Sequence, residues 1–485
     1  MNYKMTARLL GMVMLIVALM LIPPFFIAVI RKENGALIGF AITMGAMALI
    51  GWLLTSLKPR RMALYAREGF ILVALTWIVV SLFGALPFYI SGEIPSYVDC
   101  LFETISGFTT TGASILGDVE ALSMSLLYWR SFTHWLGGMG VLVFLLAIAP
   151  LATGNGDTLY IMRAESPGPS VNKLVPKTRQ SARILYGIYI GMTVAQTIML
   201  LAGGMSFFDS ITTAFGTAGT GGFAIYNDSL ASCSPYIQWV VTVFMALFGV
   251  NFGVYYLIII RKFRKAAKNE EVRFYFLVII AAIAVSTLST LASYGGNLET
   301  ALRHSAFQVV SIITTTGFST ADFNLWPQLV RSLLVLLMII GACAGSTGGG
   351  VKCSRILILV KSLKREIRLL LHPNTVSTIR IDGEPVQNAT VTSVFAFFGA
   401  YALISFASTL LISLDGFSFE TNLTAVIACI NNIGPGLGSV GPMSNYGGFS
   451  DISKLVLSVN MLIGRLEIFP MLMLFMPSVW KRARG

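Results

Sequence analysis

Four stretches of this chain place threonine and glycine where a backbone could strip water from a cation. They are Phe108-Thr109-Thr110-Thr111-Gly112-Ala113-Ser114, Ala218-Gly219-Thr220-Gly221-Gly222-Phe223-Ala224, Ile313-Thr314-Thr315-Thr316-Gly317-Phe318-Ser319 and Ile430-Asn431-Asn432-Ile433-Gly434-Pro435-Gly436. They align without a gap on one glycine. A dehydrated monovalent cation needs a cage of oxygens in place of its water, and loops of backbone carbonyls can build one. Carbonyls turn inward together only from unusual backbone conformations, and glycine reaches positive φ without steric cost. An adjacent threonine adds a hydroxyl oxygen. The candidate potassium-binding residues are therefore Thr110, Thr111 and Gly112; Thr220, Gly221 and Gly222; Thr315, Thr316 and Gly317; and Asn432, Ile433 and Gly434. One such stretch alone reads equally well as a turn between packed helices. Four collinear copies favour the ion cage. The second and fourth copies depart from Thr-Thr-Thr-Gly, so fewer well-formed sites and looser rejection of sodium are expected than in a symmetric ring.

A second constellation suits gating. Gly341-Ala342-Cys343-Ala344-Gly345-Ser346-Thr347-Gly348-Gly349-Gly350 interrupts a long apolar helix. Each glycine costs about 1 kcal/mol in a helix interior relative to alanine, so the helix breaks here. The spacing excludes a phosphate-binding loop, because Val351 follows Gly350 and Lys352 comes one residue too late. The alternatives are a packed kink or a loop that blocks the path below the cage. The candidate gating residues are Gly345, Ser346, Thr347, Gly348, Gly349, Gly350 and Lys352. Arg465 joins them as an ionisable residue inside the last apolar span, where charge is expensive and usually functional. The plainer reading of Arg465 is a structural pair, for instance with Glu467.

Enzymatic chemistry finds little support. His134, His304 and His372 are too far apart for a helical metal pair. Cys100, Cys233, Cys343, Cys353 and Cys429 have neither zinc nor redox spacing. No transition-metal site and no organic cofactor are expected.

The elements that would hold these residues are membrane helices. Hydrophobic residues make up 55% of the 485 and charged residues 12%, against about 25% charged in soluble domains. Apolar runs near 8–30, 36–57, 70–91, 123–152, 181–204, 236–261, 273–294, 328–360, 391–414 and 452–479 are each long enough to span a bilayer as a helix. The first reads as an uncleaved span, with Pro23-Pro24 inside the run. The net charge of +12 does not signify nucleic acid. Its basic residues cluster in alternate connections (Lys58, Arg60, Arg61; Arg163, Lys173, Lys177, Arg179; Arg261, Lys262, Arg264, Lys265, Lys268; Lys352, Arg355, Lys361, Lys364, Arg365, Arg368; Lys481, Arg482, Arg484). The other side carries acids: Glu93, Asp99, Asp118, Glu120, Asp209, Asp228, Glu299, Asp322 and Glu420. That alternation predicts cytoplasmic termini and an acidic outer mouth that concentrates cations.

Each glycine stretch follows a short, moderately apolar segment. Thirteen residues before the four glycines stand Asp99, Asp209, His304 and Thr421, read as polar helix starts. Two spans fall in each interval, so the repeats run parallel. The expected fold is an all-α polytopic membrane protein with four parallel helix–pore-loop–helix repeats around one central pore, plus two extra N-terminal transmembrane helices. Its units are 1–66 (the two-helix extension), 67–162, 163–268 (a cytoplasmic linker with the second repeat), 269–380 (with the broken inner helix) and 381–485.

The four stretches and the span plan resemble the Trk/Ktr/HKT superfamily of potassium transporters, and most closely its Trk-type membrane subunits. The resemblance covers essentially the whole chain. It also rests on FTHWLGGMG (Phe132–Gly140), YIMRAESPGP (Tyr160–Pro169), GACAGSTGGGVK (Gly341–Lys352), NNIGPGLG (Asn431–Gly438) and GRLEIF (Gly464–Phe469). It implies potassium uptake across a bacterial inner membrane, with one selectivity-filter glycine per repeat at Gly112, Gly222, Gly317 and Gly434. It implies that Arg465 reaches toward the pore and the intramembrane loop. It also implies a homodimer in the lipid bilayer and a cytosolic partner, a Trk-type regulatory ring protein that binds NAD, ATP or ADP. The competing expectation is a symporter coupled to sodium or protons, with Glu103, Arg465 and Glu467 as the few buried ionisable candidates.

Overall fold

The computed structural model describes residues 3–57, 66–138, 140, 178–375 and 377–480. Expectations for Lys58, Arg60, Arg61, Arg163, Lys173, Lys177, Lys481, Arg482 and Arg484, for Tyr160–Pro169 and for the second half of the 123–152 span lie outside the described residues.

Helices dominate. In chain order they are α1 (Tyr3–Met20), α2 (Ile22–Arg31), α3 (Asn34–Thr55), α4 (Ala66–Gly84), α5 (Leu86–Ser91), α6 (Tyr97–Phe108), α7 (Met124–Gly138), α8 (Thr178–Ala202), α9 (Phe207–Ala218), α10 (Pro235–Phe248), α11 (Phe252–Ile259), α12 (Phe263–Ala267), α13 (Glu270–Thr290), α14 (Leu298–Ile313), α15 (Gln328–Ile340), α16 (Cys353–Leu371), α17 (Asn388–Ile412), α18 (Phe419–Asn431), α19 (Asp451–Arg465) and α20 (Phe469–Leu474). Among the described residues the one sheet is an antiparallel hairpin, Arg380–Ile381 with Glu384–Pro385. Its Asp382 accepts from the Glu270 amide at 2.7 Å and so caps α13.

Among the described residues, six helical runs are long and apolar enough to cross a membrane: Tyr3–Arg31, Asn34–Thr55, Glu68–Ser91, Ile184–Ala202, Glu270–Thr290 and Asn388–Asp415. Their outward faces are apolar, with Leu403, Phe406 and Leu410 of α17 widely exposed. Such continuous apolar surface fits lipid rather than water.

Two expected spans are broken instead of continuous. The 236–261 run splits into α10 and α11, which meet at 90°. A side chain on Gly249 would overlap the Tyr275 hydroxyl, and Asn251 caps α11 by accepting from the Gly253 amide at 2.8 Å. The 452–479 run breaks after Arg465, where Glu467 and Ile468 both hold positive φ. For β-branched Ile468 that conformation is strained. The break expected inside 328–360 lies between α15 and α16.

Four short helices, α6, α9, α14 and α18, each run into one of the Gly/Thr stretches. Ser96, Ser206 and Ser418 cap three of them by accepting from the amides of Asp99, Asp209 and Thr421. Asn297 caps the third in the same way through Thr300. The helix starts therefore differ from the expected ones. Asp99, Asp209 and Thr421 sit three residues inside their caps, where the two acids suit the positive helix end. His304 lies well within α14, which is longer than the other three.

Candidate functional site

The four stretches share one backbone course. The residue two before each glycine is left-handed: Thr110 at φ 55°, Thr220 at 53°, Thr315 at 60° and Asn432 at 56°. The glycines themselves stand at φ 80°, 75°, 86° and 93° for Gly112, Gly222, Gly317 and Gly434. The residue between donates its amide back to the short helix: Thr111 to Ser106 at 2.9 Å, Gly221 to Gly216 at 2.9 Å, Thr316 to Ser311 at 2.8 Å and Ile433 to Ala428 at 3.0 Å. This is a Schellman-type helix end, with threonine in three places where glycine or asparagine is usual. A β-branched residue held there costs about 1–3 kcal/mol and persists only where its surroundings impose it.

The stretches close on one another. A side chain on Gly112 would strike the carbonyl oxygen of Gly221, one on Gly222 that of Thr316, one on Gly317 that of Ile433, and one on Gly434 that of Thr111. First meets second, second third, third fourth, and fourth first. A second set of bonds follows the same order. Val119 donates to Asn227 at 2.7 Å, Leu230 to the Ser319 carbonyl at 3.0 Å, Gly438 to Asn324 at 3.0 Å and Tyr446 to the Ser114 carbonyl at 2.8 Å. The Tyr446 hydroxyl also donates to the Gly434 carbonyl at 2.7 Å. The four glycines thus form a ring.

The segment between α15 and α16 docks on the helix end of this ring. The Gly349 amide donates to the Thr315 hydroxyl at 2.6 Å, and the Gly350 amide to the Asn431 carbonyl at 3.0 Å. The Gly345 carbonyl accepts from the Phe252 amide at 3.0 Å, and Cys343 donates to the Gly249 carbonyl at 3.1 Å. Ser346 closes a local turn onto Cys343 at 2.6 Å. The Thr347 hydroxyl donates to the Phe248 carbonyl at 3.4 Å. Lys352 is buried and donates to the Gly348 carbonyl within the segment.

Arg465 bridges segment and ring. One nitrogen donates to the Thr110 hydroxyl at 3.1 Å and to the Thr347 carbonyl at 3.0 Å, and the other to the Gly137 carbonyl at 2.7 Å. Glu467, its expected pairing candidate, accepts from Arg355. The strained Thr110 and Thr315 therefore offer their hydroxyls to Arg465 and to the Gly349 amide.

Glu271 and Arg130 were not singled out by sequence, and Glu103 and His134 were named there without the contacts they make. Glu271, 4% exposed, accepts from the amides of Ala344 at 2.6 Å and Ser354 at 3.0 Å. One carboxylate oxygen thereby ties both limbs of the segment to α13. Arg130 and Glu103 pair at 2.6 Å in full burial behind the first stretch. Glu103 also accepts from Ser114 and Ile115, and Arg130 donates to the Ala224 carbonyl at 2.7 Å. A lone acid and a lone base 27 residues apart give no sequence signal of contact. His134 lies against the second stretch.

The expected acidic mouth is weaker than its residue count. Asp99 is paired with Lys454 at 2.6 Å, Glu299 with Arg303 at 2.9 Å and Glu420 with Arg331 at 2.5 Å. Each paired cation offsets part of its acid's local field. Among the described residues no three His, Cys, Asp or Glu side chains gather as a metal cluster.

Comparison with known proteins gives a consistent answer. The family model TrkH, described as a cation transport protein, matches residues 36–482. The "Trk system potassium uptake protein TrkH" of Halomonas elongata is 34% identical, covering 99% of this chain and 100% of that relative. The protein of the same name from Escherichia coli strain K12 is 36% identical over 99% of this chain and 100% of its own length. The crystal structure of the potassium transporter TrkH from Vibrio parahaemolyticus superposes with a TM-score of 0.88 at 32% identity, covering 99% of this chain and 100% of that one. These relatives are named as transport proteins, not enzymes.

Proposed function

The chain belongs to the TrkH family of cation transport proteins, and from that premise we propose that it is the ion-translocating, channel-like subunit of a potassium-uptake system of the inner membrane. The four Gly/Thr stretches are its selectivity filter. Each belongs to one of four parallel helix–loop–helix units around a central pore, and α1 to α3 stand outside them. The segment from Gly345 to Gly350, with Lys352 and Arg465, is its gate.

The observation that carries this reading is the closed order of contacts around Gly112, Gly222, Gly317 and Gly434. Positive φ at the glycine and again two residues earlier turns the peptide units between them to one side. Four such turns around one axis provide rings of carbonyl oxygen for a dehydrated cation. The short helices end at the ring, so their partially negative ends favour the ion. Irregular backbone at this depth is acceptable where it lines a wet path.

The gate is closed in this arrangement. Glycine amides occupy the Thr315 hydroxyl and the Asn431 carbonyl, and Arg465 places positive charge beside Thr110. A cation leaving the ring meets both. Opening therefore requires the segment to leave the ring, with α16 and its basic surface carrying the signal from a Trk-type nucleotide-binding ring protein. The working unit is a homodimer, with both termini in the cytoplasm.

Purified protein in liposomes tests this reading. Potassium flux that grows linearly with driving force and shows unitary currents supports a channel. Saturating flux that moves sodium or protons in fixed ratio overturns the channel mechanism and favours the coupled symporter.

A further inference from the structure

In the first and third loops, the residues three and one before the glycine are paired threonines. Thr109 and Thr111 meet at 2.8 Å, as do Thr314 and Thr316. In the second loop both positions are glycine, Gly219 and Gly221. His134 of α7 takes the space. A side chain on Gly221 would overlap its imidazole, and one on Gly219 its carbonyl oxygen.

The imidazole does more than fill the gap. It is fully buried. Its Nε2 lies 3.1 Å from the Phe223 amide and its Nδ1 lies 2.8 Å from the Gly107 carbonyl. The Phe223 N–H can only donate, so Nε2 accepts. The proton of a neutral ring then sits on Nδ1 and is donated to Gly107. The ring thus ties the residue after the second glycine to the short helix of the first loop. One turn earlier on α7, Arg130 lies over the Phe223 ring at 3.6 Å.

We propose that His134, as its neutral Nδ1–H tautomer, replaces the missing hydroxyl pair and sets the position of the second loop. It is thereby a specificity-determining positioning residue for the cations that the ring admits. The proposal rests on reading the four loops as a filter. Discrimination between potassium and sodium depends on where the ring oxygens are held. The second loop, with glycine at three of four positions from 219 to 222, lacks the hydroxyl pair that braces the first and third.

The test is potassium and sodium uptake by full-length protein in liposomes, with the potassium-to-sodium ratio as the readout. His134→Ala is expected to lower that ratio about fivefold or more, as loss of two buried hydrogen bonds implies. His134→Gln, which keeps one donor and one acceptor, is expected to retain more of it. An unchanged ratio in His134→Ala, or equal loss in both variants, overturns the proposal. Should His134→Ala fail to insert, Gly221→Ala places a methyl against the ring, and an unchanged ratio there overturns it equally. Gly317→Ala is run in parallel. If Gly317→Ala alters the ratio and His134→Ala does not, the positioning role fails and the filter stands. If neither alters it, the filter reading itself falls.

Discussion

The guanidinium of Arg465 lies 3.1 Å from the hydroxyl of Thr110, and the same nitrogen reaches the Thr347 carbonyl at 3.0 Å. One side chain therefore spans from a strained residue of the first loop to the intramembrane segment. The left-handed backbone of Thr110 recurs at Thr220, Thr315 and Asn432 and so belongs to the shared loop course; at Thr110 it presents the hydroxyl to the arginine.

Arg465→Ala removes three charge-assisted hydrogen bonds. Each contributes about 1.5–3 kcal/mol, and they do not add fully. A loss of about 2 kcal/mol from the closed state raises the open fraction roughly thirtyfold. Open probability in reconstituted patches checks this. Wild-type closure in the variant contradicts the bridging role.

Glu271 offers a second handle on the same segment. Glu271→Ala frees the amides of Ala344 and Ser354 and loosens both limbs. Resting potassium leak rises by up to about thirtyfold, in line with about 1 kcal/mol for each of the two lost bonds. Glu271→Gln keeps an acceptor oxygen and leaks less than the alanine variant. Efflux from potassium-loaded liposomes distinguishes the two.

Behind the first loop, the Arg130–Glu103 pair supports the fold as well as the ring. Arg130→Met leaves a buried carboxylate without its charge partner, a loss of about 3–5 kcal/mol. The melting midpoint in detergent falls accordingly. Adding Glu103→Gln to that variant recovers part of the loss, because the uncompensated charge is gone. Equal midpoints for single and double variants contradict this account.

Local backbone demands were legible in the sequence, and long-range contacts were not. Gly112, Gly222, Gly317 and Gly434 announce themselves because positive φ is a property of a few consecutive residues. The glycine run at 348–350 announces a broken helix for the same reason. The short helices are legible too, but not their starts, because Ser96, Ser206 and Ser418 compete as caps with the polar residues three positions later. The break at Gly249–Asn251 went unseen because its causes, Tyr275 and Cys343, lie elsewhere in the chain. Glu271 and His134 act on segments some 70 to 90 residues away, and no local pattern points to such a partner. Even so, Gly219 and Gly221 carried a hint: two threonines missing from a repeated motif imply that something else fills their place.

The central claim is that the four glycines surround a dehydrated cation. Anomalous diffraction from crystals grown in rubidium tests it most directly. The account predicts a peak inside the ring, bounded by the carbonyl oxygens of Thr111, Gly221, Thr316 and Ile433. Rubidium density elsewhere in the protein, with none inside that ring, would contradict it.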